Sequence, residues 1–457
     1  MNKFERVEAR TSYEGDTLQN PRFNNTLFTN SISFKNAVFK DTADFQDSKF
    51  EKRVLFDSTI FKKFALFVGT KFKSYVSYKN AVFDSIMSFT FMPDIEGSVI
   101  FNNSHFKQEF FIGDATNFKE KVFFNMAVFK GSVHIEGNVF YDETHFEEAH
   151  VQSEAYFNNT FKSTSNFNKT SFDSLVSFDR TVFDSTVTFN STKFLDNTSF
   201  EGVIFNGEVS FDSTIFSKSL SFKKARFDQK VTFNKVILPD TIYFSDLQQI
   251  TKDVIFTFPT LRSGQRSCVI DLYGTDINKF EFDYTYFQLL YNSSLPKNHI
   301  INLYERVLKM QKDRGFLEGY EKADKEYQHL ILTYETYGLE YIWCSFISKA
   351  RWWWWDYGYE KGRILIISII FLLIFTSVNT IFFQKMNESV YDIEAIYARW
   401  KKNQEPSSTT LKDDKFHISK HTIYASFFYT WFIFLGLRDF ESWIGVLYLL
   451  FQYGLGL

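Results

Sequence analysis

Phenylalanine recurs along the first half of the chain at steps that alternate between five and six residues. Phe23, Phe28, Phe34, Phe39, Phe45, Phe50, Phe56, Phe61, Phe67 and Phe72 open the series, and Tyr78, Phe83 and Phe89 continue it. The alternation loosens through Phe101, Phe106, Phe118, Phe123, Phe129, Ile135, Phe140, Phe146, Val151, Tyr156 and Phe161, then runs without a gap from Phe167 to Phe233. A smaller residue stands two places before each ring. It is Val176, Val187 or Val209 where the step is six, and Thr170, Thr181, Thr192 or Thr214 where it is five. The positions between are mostly Asp, Asn, Ser, Lys and Thr. A helix needs apolar residues at i, i+3, i+4 and i+7, so this spacing predicts short extended segments joined by turns. A period of eleven sustained over about 210 residues is the signature of a stacked array.

A single coil of such an array cannot bury its own rings and must stack on its neighbours, at rungs roughly 4.8 Å apart. The segments FKNAVFKDTADF, FDSTIF and FNSTKF resemble the Phe-rich branch of the pentapeptide-repeat proteins. The resemblance implies a mainly β fold, a right-handed quadrilateral β-solenoid over residues 21–245, after a tail or cap at 1–20. That family repeats strictly every five residues. The five/six alternation here predicts about 22 residues per coil rather than 20, with less regular corners. About ten coils would make a rod on the order of 45–50 Å long. Residues 246–297, including VIFTFPTL and SCVIDLYGTDINKFEFDYTYF, stay β-rich but leave the period, and are expected to cap the stack.

From residue 298 to 345 the periodicity becomes helical. Leu303, Leu308, Phe316, Tyr320 and Tyr327 recur at helical spacing, and Asp313-Arg314-Gly315 supplies the break of a helical hairpin. The stretch YERVLKMQKDRGFLEGYEK resembles the linker that joins pentapeptide repeats to membrane segments in multidomain bacterial proteins. Residues 346–383 then combine aromatic anchors with an apolar run. Trp352, Trp353, Trp354, Trp355, Tyr357 and Tyr359 have the amphipathic rings of a headgroup boundary. Ile364 to Phe383 carries no charge and is long enough to cross a bilayer as a helix.

A polar loop, 384–421, separates this span from residues 422–457. There Arg438, Asp439 and Glu441 divide two apolar blocks, Thr422 to Leu437 and Ser442 to Leu457, each shorter than a usual span. The order of span, loop, short helix and last span resembles the two-helix pore-loop ion-channel module. On that resemblance Phe427 to Leu435 stands for the re-entrant pore helix, Gly436 to Glu441 for the filter, and the final block for transmembrane helix 2. Thr430, Leu435, Gly436, Leu437, Arg438 and Asp439 are the candidate pore-loop residues. The stretch FLGLRDFE lacks the carbonyl-lined TVGYG type of filter, and Arg438 at a pore mouth repels cations. Potassium selectivity is therefore not expected.

The formal net charge is −3, and residues 21–240 carry 25 Lys and Arg against 26 Asp and Glu. That balance gives no electrostatic reason to expect a nucleic-acid interface and is too even for an acidic DNA mimic. Two cysteines, Cys268 and Cys344, make no disulfide framework. There is no phosphate loop, dinucleotide turn, nucleophile elbow or zinc-protease helix. His417 and His421, near Asp413 and Asp414, are read as solvated loop residues. The chain is expected to be no enzyme, with no catalytic, cofactor or metal site.

The N-terminus has no secretory pattern. Lys349, Arg351, Lys361 and Arg363 before the first span are set against Lys385, Arg399, Lys401 and Lys402 after it, a weak bias, so it is the missing signal pattern that places the repeats in the cytoplasm and the protein in the cell membrane. The expected function is channel-like, with the repeat domain regulating or organising the pore module. The alternative is a membrane-tethered interaction scaffold without transport. Expected partners are membrane lipid, a protein on the solenoid faces, and further copies of the chain, four if a pore forms.

Overall fold

The computed structural model describes residue 4 and residues 6–92, 94–113, 115–291, 296–334 and 336–381, together with 423, 426, 427 and 430. The chain divides into two compact units, residues 1–324 and 325–457.

The first unit is mainly a parallel β-solenoid of about 13 turns. One coil shows how the five/six alternation becomes four sides. Ala43–Asp44, Lys49–Phe50, Val54–Leu55 and Ile60–Phe61 are two-residue strands, one per side. Each pairs in parallel with its counterpart in the next coil: Ala43 with Ala65, Lys49 with Lys71, Val54 with Val76 and Ile60 with Val82. Between the sides the backbone turns through left-handed residues at Asn25, Asn36, Asp47, Ser58 and Asn80. Asn and Asp tolerate that conformation best among residues with a side chain, and they fill several of these corners, although Met126, Glu148, Lys169 and Arg180 adopt it as well.

The rings form continuous columns inside. Phe34, Phe56, Tyr78, Phe101 and Phe124 stack one above another at 4.9 Å between successive centroids, with planes within 9°. Neighbouring columns meet edge-on, as in Phe34 against Phe45 at 5.7 Å and 79°. Both geometries suit the ring quadrupole. The threonines of the repeat work at the next level. Thr59, Thr70, Thr181 and Thr214 are buried, and each donates its hydroxyl to a Phe carbonyl one coil back at 2.7 Å.

Outside, ion pairs tie each coil to the next. Lys62 to Asp84, Lys162 to Asp184 and Lys218 to Asp196 lie at 2.7, 2.6 and 2.7 Å.

Two rings of the expected ladder stand one place off. Phe124, not Phe123, is buried, and Phe157, not Tyr156. The coil length changes at these places. Val99 pairs with Val122, which makes that coil longer by one than the coil from Val54 to Val76, whereas Ala155 pairs with Val176, which makes that coil shorter by one. A shift of one residue reverses every side chain in a strand. Phe123 therefore faces outward on His145, and Tyr156 outward on His134.

Residues beyond 245 keep stacking. Val254–Thr257 pairs with Val231–Asn234, Cys268–Asp271 with Thr241–Tyr243, and Phe287–Leu289 with Cys268–Ile270, in less regular coils. Helix α1, Lys297–Arg314, follows the last coil and ends at Gly315 in the left-handed conformation, with helix α2, Leu317–Thr333, beyond. The buried face of α1 is Ile300, Tyr304, Val307, Met310 and Gln311; Leu303 and Leu308, expected there, are half-buried. Gln311 bridges the end of the stack, donating to the Phe282 carbonyl at 2.8 Å and accepting from the Tyr284 amide at 3.0 Å. Gly319 of α2 is needed beside it, since a Cβ there would lie 2.3 Å from the Gln311 side-chain oxygen.

Candidate functional site

The second unit holds a helical elbow and one apolar helix. Helix α3 is Gly338–Trp355 and helix α4 is Lys361–Ile381. Between them Asp356 and Tyr357 both take left-handed backbone, φ 51° and 56°. That conformation costs a non-glycine residue about 1–2 kcal/mol, so the surroundings must hold it. The Asp356 carboxylate is buried and accepts from Lys325 of α2 at 2.6 Å. Ser348 of α3 lies 2.5 Å from the Tyr357 hydroxyl and 2.7 Å from His329 Nδ1. The Lys325 ammonium also stands 5.2 Å over the Tyr359 ring. One lysine and one serine thus fix the turn.

These contacts sort the aromatic anchors expected from the sequence. Tyr357 and Tyr359 are half-buried and engaged within the elbow. Trp352 and Trp353 are exposed, and Trp354 and Trp355 half-buried. The rings of Trp353 and Trp354 lie 6.0 and 5.8 Å from Phe371 of α4.

Among the described residues α4 is the one helix long and apolar enough to cross a membrane, with a mean hydropathy of 2.6 and 17% of its apolar window buried. Most of its apolar surface is exposed, and Ile367 and Leu372 are its only buried aliphatic residues among the described ones. Thr376 and Thr380 are buried, while Leu365, Ile366, Ile369, Leu373 and Ile381 are more than half exposed. Two of its hydroxyls are satisfied within the helix, Thr380 donating to the Thr376 carbonyl and Ser377 to that of Leu373. Asn379 donates across to Thr430 Oγ1 at 2.8 Å, and Thr430 in turn donates to the Ser426 carbonyl at 2.8 Å.

Of the candidate pore-loop residues, Thr430 is thus placed, buried against Asn379. Leu435, Gly436, Leu437, Arg438 and Asp439 lie outside the described residues, as do His417 and His421. No pattern in the sequence singles out the elbow residues Lys325, His329 and Ser348. Nothing periodic links Lys325 to Asp356, 31 positions away.

A chain wound as a four-sided parallel β-solenoid on stacked phenylalanines belongs to the class of repeat proteins that grow coil by coil. A family model for pentapeptide repeats, nine copies, matches residues 17–60 and 167–215. Those two segments are accordingly pentapeptide repeats, and the coils between and around them share their fold. Neither a curated protein nor a solved structure matches the chain.

Proposed function

We propose that this is a membrane-anchored pentapeptide-repeat protein whose solenoid lies on the cytoplasmic side and presents its flat outer faces to a protein partner. The observation that carries the reading is the exposure of α4: most of its isoleucines and leucines lie outside, and its buried side is only Ile367, Leu372, Thr376 and Thr380. Its 21 residues rise about 31 Å, close to the thickness of a hydrocarbon core. An apolar exterior of that length is stable where the surroundings are themselves apolar. The role is one of binding and tethering rather than catalysis.

The test uses residues that α4 already exposes. Replacing Ile369 and Leu373 by Lys places two charges at mid-helix, each costing roughly 2.5–3.5 kcal/mol on insertion. The doubly substituted full chain should leave the membrane fraction while the solenoid keeps its β-type circular dichroism. Unchanged partitioning would overturn the proposal.

A second reading, an oligomeric channel-like pore regulated by the repeats, draws on the hydrogen bond from Asn379 to Thr430. It joins the candidate span to the candidate pore helix, and such bonds hold helices together in lipid. Ion flux from proteoliposomes made with the full chain distinguishes the two. Flux that disappears in Asn379→Leu favours the pore, and silent vesicles favour the tether.

A further inference from the structure

Helix α3 turns its apolar side away from the protein. Leu339, Ile342, Trp343 and Phe346 recur at three- and four-residue spacing on one face. They are 85, 63, 63 and 60% exposed. Trp353, exposed as well, falls on the same face two turns later. The side that packs is the opposite one, where Ser348 is buried and bonded to His329 and Tyr357. Burying a serine while exposing a leucine, two tryptophans, a phenylalanine and an isoleucine is unfavourable in water, because the largest apolar areas stay hydrated.

The exposed face has a continuation. Trp353 and Trp354 pack on Phe371, so the apolar surface of α3 runs into that of α4 at the elbow. The two helices differ in one respect. Helix α3 carries Glu340, Lys349 and Arg351 along its 18 residues, whereas α4 is uncharged from Ile364 onward. A helix with one apolar aromatic face and cationic residues beside it fits the boundary between headgroups and acyl chains rather than the hydrocarbon centre.

We infer that α3 is a second membrane element, an interfacial helix lying in the plane of the bilayer surface. Leu339, Ile342, Trp343 and Phe346 are immersed in lipid, and Lys349 and Arg351 sit at the level of anionic headgroups. The elbow at Asp356 and Tyr357, fixed by Lys325, then sets how the surface helix meets the span. This inference rests on the membrane reading of α4 and adds a separate contact with lipid.

The test uses the full chain in vesicles of phosphatidylcholine and phosphatidylglycerol, with Cys344 replaced by Ser. Cys268 is buried and its thiol pushed up by that burial, so it stays unlabelled. Nitroxides are attached in turn at Leu339→Cys, Phe346→Cys, Tyr341→Cys and Ile370→Cys, all exposed positions, and collision with oxygen and with a nickel chelate gives depth. Labels at 339 and 346 should lie roughly 5–10 Å inside the headgroup boundary, the label at 341 in water, and the label at 370 deep in hydrocarbon. Nickel access at 339 and 346 with 370 still deep would overturn the inference and leave the span. Nickel access at 370 would overturn the membrane reading itself. Labels at 339 and 346 shielded from both reagents would show a protein cover, a C-terminal segment or a second copy, and also overturn the inference.

Discussion

The Thr192 hydroxyl donates to the carbonyl oxygen of Phe167 at 2.6 Å, one coil back and wholly inside the solenoid. Thr170 and Phe146 make the same bond at 2.6 Å. This slot holds Thr or a small apolar residue because the side chain must be compact, while the hydroxyl gives a neighbouring carbonyl a second partner. Thr192→Val keeps the volume and removes the bond. It should lower the stability of the chain by about 1 kcal/mol, despite the greater hydrophobicity. A chemical-denaturation midpoint that does not fall would show that the bond contributes nothing.

Tyr78 occupies a place in the aromatic column where other coils have Phe. Its ring stacks on Phe56 and Phe101 at 4.9 Å on either side, but its hydroxyl is buried without a hydrogen-bond partner among the described residues. The same burial raises the phenol pKa well above its ordinary value. Tyr78→Phe removes the stranded group and leaves the stack, so it should stabilise the solenoid by about 1–3 kcal/mol. Thermal unfolding of the two chains side by side is the check, and a lower midpoint for the variant would contradict the account.

The inter-coil ion pairs set the response to acid. Lys162 holds the Asp184 carboxyl below its ordinary pKa, against the opposing effect of burial and with help from the Asn206 amide. Lys63 and the Asn20 amide lower Asp41 in the same direction. A carboxyl whose folded pKa is depressed adds stability above its unfolded value, about 3.9, and loses it as pH falls through the folded value. Stability should therefore be flat near neutrality and decline below about pH 4, less steeply in Lys162→Met than in the parent chain. Equal slopes in a pH series of denaturation curves would remove Asp184 from the explanation.

Gln311 closes the end of the stack by serving Phe282 and Tyr284 together. In Gln311→Leu both backbone groups lose their partner in a buried place, at about 1–3 kcal/mol each. Amide hydrogen exchange should accelerate around residues 280–289 and leave residues 167–233 protected, since coils interact chiefly with their neighbours. Uniform acceleration along the solenoid would contradict this picture of a local cap.

The sequence carried most of the solenoid because its physics is periodic: four short sides to a coil, one inward ring on each, and a nearly constant coil length. The two misplaced rings have a signal that the ring spacing alone obscures. The smaller residue two places earlier is Val122 for Phe124 and Ala155 for Phe157, whereas Phe123 and Tyr156 follow Lys121 and Glu154 at that distance. The helical part is legible only in outline. The apolar run of α4 is plain from composition. The pairing of Lys325 with Asp356, and of Asn379 with Thr430, depends on tertiary contacts that no local pattern encodes.

The account holds that one chain is built for two solvents, water around the stacked coils and lipid around α4. Washing membranes from cells that express the full chain with alkaline carbonate tests this most directly. The protein should stay in the pellet and dissolve only with detergent. Recovery of intact, folded chain in the carbonate supernatant would contradict the account.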